Sequence, residues 1–351
     1  MNKENFKKTL LRSWIACSDF FYNKVEALSG PTFLVLATIP VFLFWGVLLY
    51  PQPVSHLVAS LYQEPILQVL STWFNLSQHP GSLPATFLVI SLHTFNLALF
   101  VMLARPYLSK LMLLWATWYI GIHPSHLSWL GRLEYFSYIL ECTFLLSSVA
   151  LAKYICTHVS SGSIRIGLLA IVCAAWLPLN LWLGTAGITL TAAYFWPLTT
   201  PHCLLLFISY ATTQITAIVT FLTLPLTQVF INLRRMLVAL FGLGWIPSSQ
   251  QWLRYGFLLF WSASLVGLFL HTTKRREAGL LLAAVGTCII PQLFISMHPA
   301  FVYIALPAFI AGLGLLYENT GEADVRSVIK SLIIPIYASF LFNVIAMLIQ
   351  A

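Results

Sequence analysis

Charge is what this chain has least of. Asp, Glu, Lys and Arg together make up 8% of 351 residues, against 59% hydrophobic ones, and the mean hydropathy is +0.86. A soluble domain carries about 25% charged residues, so a water-covered fold of this size would lack the surface to cover itself. Scarce charge combined with 15% aromatic residues also excludes a disordered chain. The six cysteines never form a C-x-x-C pair and mostly fall inside apolar stretches, which excludes a disulfide framework or a zinc ribbon. Catalytic signatures are missing as well: there is no H-E-x-x-H, no G-x-S-x-G, no glycine-rich phosphate loop and no Asp-rich prenyl-diphosphate motif. The first thirty residues show no small-x-small cleavage site after a short apolar run. The sequence therefore predicts no cofactor and no catalytic residue.

What is present is a series of long apolar runs. A hydrocarbon core of about 30 Å takes roughly 20 apolar residues to cross. Runs of that kind occupy 31–50, 85–104, 107–123, 135–157, 165–184, 203–233, 251–271, 278–297, 300–316 and 328–351. Shorter pieces at 186–198 and 236–246 read as broken or re-entrant segments. The expected fold is all-α: a polytopic transmembrane helix bundle of about 10–11 spans. Residues 31–351 form its single domain, with 51–84 as an outer cap loop. Residues 1–30 form an amphipathic interfacial helix, because Phe6, Leu10, Trp14, Cys17, Phe21, Val25 and Leu28 recur at helical spacing with lysines off the stripe.

The net charge of +8 is not a nucleic-acid signal, since Lys and Arg stand at the ends of apolar runs rather than on one face. Such charges report orientation. With the N-terminus inside, every Lys and Arg up to Arg235 falls on the inner side except Arg132, and the 51–84 loop holds none. Placing both Arg234-Arg235 and Lys274-Arg275-Arg276 inside requires 236–250 to cross between them. The expected location is a bacterial inner membrane with a cytoplasmic N-terminus. The expected partners are the lipid bilayer and other membrane subunits or further copies of the chain.

Ionisable groups inside a membrane are functional candidates by default. His93 lies in the second run with Asn96 one turn along, and Glu141 in the fourth run on a face with Tyr138 and Ser148. Counted from the outer ends, the two lie at depths of roughly 12 Å and 9 Å, which permits a His–Glu proton relay. Ser209, Thr213, Thr216, Thr220, Thr223 and Thr227 form a hydroxyl stripe that either lines a hydrated path or packs against a neighbouring helix. His123 and His126 form an H-x-x-H pair in an outer vestibule, a weak metal candidate without carboxylate or thiolate company. Mid-span prolines such as Pro40, Pro225 and Pro307 fit hinged helices. These features favour a transporter or permease of a small solute or ion. The alternatives are a non-catalytic membrane subunit of a secretion or respiratory assembly, and a lipid-modifying enzyme using His93 and Glu141 as an acid–base pair.

Overall fold

In the computed structural model, the described residues are 23–49, 83–123, 126, 136–162, 164, 168, 225–243, 250–294 and 301–320. They form eight named helices: α1 (Gly30–Leu49), α2 (Leu83–Ala104), α3 (Lys110–Gly121), α4 (Phe136–His158), α5 (Leu226–Leu240), α6 (Gln251–His271), α7 (Arg275–Phe294) and α8 (Phe301–Glu318). Among the described residues there is no β-strand, only an isolated bridge between Thr272 and Thr320. The all-α expectation holds for this part of the chain. Two of the helices, at Phe87–Ala104 and Gln251–His271, are long and apolar enough to cross a membrane. The interfacial stretch 1–22, the loop 51–82 and the runs at 169–224 and 321–351 lie outside the described residues.

Local chemistry sets the helix starts. Ser29 precedes α1 and its Oγ accepts from Thr32 N at 3.3 Å, satisfying one of the amides a helix start leaves open. Ser109 caps α3 in the same way through Met112 N, also at 3.3 Å. Within the helices, Thr38, Thr94, Thr117 and Thr143 each donate to the carbonyl four residues back, at 2.7–2.8 Å. Their hydroxyls are thereby satisfied within their own helix, leaving the small methyl face for packing.

α1, α2, α3, α4 and α8 surround one apolar core, in which Ala37, Val41, Leu97, Leu113, Ile139, Val302 and Leu306 are buried. The α7–α8 hairpin completes it. α6 stands at the rim, with only 11% of its span buried.

One end of the bundle is charged. There Glu318, in the last turn of α8, accepts from both the backbone N and the Oγ of Ser109. Lys110 Nζ donates to the carbonyls of Glu26 and Leu28, and Leu111 N donates to Glu26 Oε1 at 3.3 Å. Thr273 N donates to Asn319 O at 3.0 Å, which fixes the basic α6–α7 turn at this same end.

α5 departs from the sequence reading. The arginine pair had placed a boundary there, with 203–233 as one span and 236–246 as a short crossing. Instead one helix runs from Leu226, just after Pro225, through both arginines to Leu240. Its buried positions Asn232, Met236 and Leu240 are spaced by four and carry one face straight past the arginines. Gly242, with φ of 63°, then turns the chain, a conformation that costs glycine nothing. Arg234 Nη1 donates to Tyr255 Oη at 2.9 Å, in the opening turns of α6. Lys274–Arg276 follow the last turn of α6, so roughly 24 Å of helix separates the two basic groups. Among the described residues, 236–243 continue α5 and its closing turn rather than starting a separate segment, and 244–249 lie outside the described residues.

Candidate functional site

Opposite the charged end, polar side chains gather where α3 stops. A helix end leaves carbonyls without intrahelical partners, and those of α3 open into an otherwise apolar bundle. Three side chains reach them. Trp45 Nε1 of α1 donates to Gly121 O at 2.7 Å, and His93 Nε2 of α2 donates to the same oxygen at 3.0 Å. His126, beyond the end of α3, donates through Nε2 to Ile120 O at 2.7 Å. Gly121 permits this approach because it has no side chain: a Cβ there would stand 2.6 Å from Val41 Cγ2 and 3.0 Å from Leu97 Cδ1.

The proton positions follow from the partners. A carbonyl only accepts, so His93 carries its proton on Nε2 and presents Nδ1 as an acceptor. Tyr303 Oη, 2.9 Å from Nδ1, therefore donates to it. The same Oη accepts from Asn96 Nδ2 at 3.0 Å, and Asn96 Nδ2 also donates to Ile139 O of α4 at 3.1 Å. A continuous chain of hydrogen bonds thus runs from α4 through α2 and α8 to the end of α3. His93 is fully buried, Asn96 is 2% exposed and Tyr303 1% exposed. Asn96 Oδ1 has no hydrogen-bond partner among the described residues.

The three histidines form one aromatic cluster with Trp45 and Tyr303. Ring centroids of His93 and His126 are 5.3 Å apart, those of His123 and His126 5.7 Å, and those of His126 and Tyr303 5.2 Å. Trp45 faces His93 edge-on at 6.5 Å. His123 lies edge-on to Tyr119 at 5.3 Å and its ring bonds the backbone of Leu240, where α5 ends. Burial pushes the His126 imidazole well below its usual range, and His93 and His123 beside it push it further in the same direction.

The sequence reading expects His123 and His126 in an outer vestibule. Both are fully buried, with His126 turned back onto the Ile120 carbonyl at the end of α3. Among the described residues no group of three or more His, Cys, Asp or Glu side chains is arranged to hold a metal ion. His93 and Asn96 do share a face, and both meet Tyr303. Tyr138 and Glu141 lie on α4, but their side chains fall outside the described residues; what the structure shows is Asn96 reaching the α4 backbone at Ile139, two residues before Glu141. Thr213, Thr216, Thr220 and Thr223 lie outside the described residues, and Thr227 is exposed in the first turn of α5.

Two members of the cluster had escaped the sequence reading. Trp45 and Tyr303 sit in unbroken apolar runs and look like ordinary core residues. The signal that points to them is chemical: a buried indole N–H or phenol O–H needs a partner, and apolar neighbours cannot supply one. Protein-family profiles, curated proteins and solved structures offer no match to this chain.

Proposed function

We propose that the chain is a multi-pass membrane protein, N-terminus cytoplasmic, that passes a small solute or ion across a bacterial inner membrane. The observation that carries this reading is the fully buried His93–Tyr303–Asn96 network on an apolar helix long enough to span. Ionisable and hydroxyl groups are costly at such a position, and chains of them serve proton and solute movement. Support for the membrane setting comes from the outer face of the helices. Val35, Ile39 and Leu43 on α1, Met102 on α2 and Leu151 on α4 are each at least 46% exposed, a surface suited to lipid. The orientation rests on Arg105, Lys110, Lys274, Arg275 and Arg276 gathering at the charged end.

His93 is held between two fixed partners, so movement through the site requires the Tyr303 bond to open. The test is proton flux in liposomes carrying an internal pH-sensitive dye. The wild-type protein collapses an imposed pH gradient faster than empty vesicles, and Tyr303→Phe slows the collapse while the protein stays inserted. Flux equal to that of empty vesicles removes the proton-linked form of this reading.

A second reading, a non-catalytic subunit of a larger membrane assembly, is favoured by α6. Leu259 is 73% exposed and Val266 and Leu270 57% each, along a helix that buries only Leu258, Trp261 and Leu268 among the described residues. Stoichiometric membrane partners recovered in mild detergent, together with absent flux, would replace the first reading with this one.

A further inference from the structure

Pro40 stands inside α1 and Pro307 inside α8. A proline has no N–H to give the carbonyl four residues back, and its ring crowds that carbonyl. In α1 the carbonyl concerned is Leu36 O, and Trp118 Nε1 of α3 donates to it at 3.4 Å. An indole from a neighbouring helix thus braces α1 at its proline. In α8 the carbonyl concerned belongs to Tyr303, whose phenol joins His93 to Asn96. The interruption of the helix and the closing bond of the buried network fall on one residue.

Pro307 divides α8 into two unlike halves. The half beyond it is pinned. Glu318 accepts from the backbone N and the Oγ of Ser109, and Thr273 N donates to Asn319 O at 3.0 Å. At Gly314 the backbone packs closely on the start of α3: a Cβ there would stand 3.0 Å from Leu108 Cδ2 and 3.2 Å from Met112 Cγ. The half before Pro307 carries Val302, Tyr303, Ile304, Ala305 and Leu306, each at most 2% exposed in the apolar core. Its directional tie to α2 runs through Tyr303.

Tyr303 lies four residues from the proline, roughly 6 Å along the axis. A change of about 20° in the bend at Pro307 moves a point at that distance by roughly 2 Å. Added to the 2.9 Å between Tyr303 Oη and His93 Nδ1, such a displacement breaks the bond. The same tilt shifts the Tyr303 ring against that of His126, 5.2 Å away.

We propose that Pro307 is the hinge of a gate: the N-terminal half of α8 tilts against its pinned half, and the tilt opens and closes the Tyr303–His93 bond. This rests on the transport reading above and adds to it the part that moves. Hinges in proteins are a few residues that absorb the change in backbone angle while one side stays held.

The full chain is reconstituted in liposomes with the internal pH-sensitive dye, as wild type, Pro307→Ala, Tyr303→Phe and the double variant. Alanine restores the missing N–H, and collapse of the pH gradient slows about fivefold, the rate equivalent of one backbone hydrogen bond. The double variant is no slower than the slower single one, because both changes act on the same step. Hydrogen exchange in nanodiscs gives a reading that does not depend on flux. Wild-type amides of 301–309 exchange faster than those of 310–318, and Pro307→Ala slows the first group alone. If alanine prevents insertion, Pro307→Val, which also restores the N–H, takes its place. Flux in Pro307→Ala equal to that of the wild type overturns the gate and leaves the transport reading intact. Additive slowing in the double variant overturns it too, as does equal exchange of the two halves in the wild type. Wild-type flux no faster than that of empty vesicles removes the proton-linked reading and the gate together.

Discussion

His93 Nδ1 and Tyr303 Oη lie 2.9 Å apart although 210 residues separate them in sequence. The bond joins α2 to α8, and through Gly121 O and Asn96 it extends to α3, α1 and α4. Five helices are registered by a handful of polar atoms whose directional bonds, unlike apolar contact, fix one helix rotation over another.

Tyr303→Phe removes the hydroxyl and leaves His93 Nδ1 and Asn96 Nδ2 facing a ring edge. Thermal unfolding in detergent is expected to show a loss of about 1–3 kcal/mol. A cycle with Asn96→Leu is expected to give a coupling of about 1 kcal/mol. Additive losses would mean that the two side chains are held by other partners.

Gly121→Ala places a methyl where Val41 and Leu97 already stand. Overpacking of this kind costs about 1–3 kcal/mol. Val41→Ala in the same chain opens the space and restores most of the stability. Gly121→Ala with wild-type stability would show that α1 and α3 do not meet at this position.

At the charged end, Glu318→Gln keeps the shape and removes the charge that Ser109 N and Oγ donate to. Because Glu318 is partly exposed, the expected loss is moderate, about 1 kcal/mol. Ser109→Ala costs more in the wild type than in the Glu318→Gln background, since it removes both the helix cap and the carboxylate's partner. The check is the same unfolding measurement on the four proteins of the cycle.

Orientation can be read from two exposed positions. Cysteines at Arg235 and Thr273, in a background without native cysteines, are expected to label from opposite faces of sealed vesicles. Labelling of both from one face would restore the crossing between 236 and 250 and contradict the Arg234–Tyr255 contact.

How far the fold was legible depended on whether composition or contact decides each element. α6 could be read directly, because 21 residues without an acid and with a single Arg254 lie between Gln250 and the Thr272-Thr273-Lys274 turn. α1, α2 and α4 were similarly plain. In α5 the Arg234-Arg235 pair suggests a boundary, whereas the four-residue spacing of Asn232, Met236 and Leu240 carries one helix through it. The candidate site was half visible. His93 and Asn96 announce themselves as polar residues in an apolar run. Which partner they take is a matter of tertiary contact, and nothing local distinguishes Tyr303 from the core residues around it. Charge-derived topology assigns His123 and His126 to an outer vestibule. His126 instead returns to the carbonyl of Ile120, six residues back, and its burial comes from the side chains of α1, α2 and α8 around it, which spacing does not encode.

The distance along the chain between His93 and Tyr303 also sets a timetable. At a synthesis rate of about 5–20 residues per second, 210 residues take roughly 10–40 s to make. During that interval α2 exists without the phenol that its histidine and asparagine require, and Ser109 waits equally long for Glu318. Other partners, water among them, must serve these donors and acceptors in the meantime. Among the described residues, α2 emerges early yet completes its hydrogen bonds only when α8 follows it.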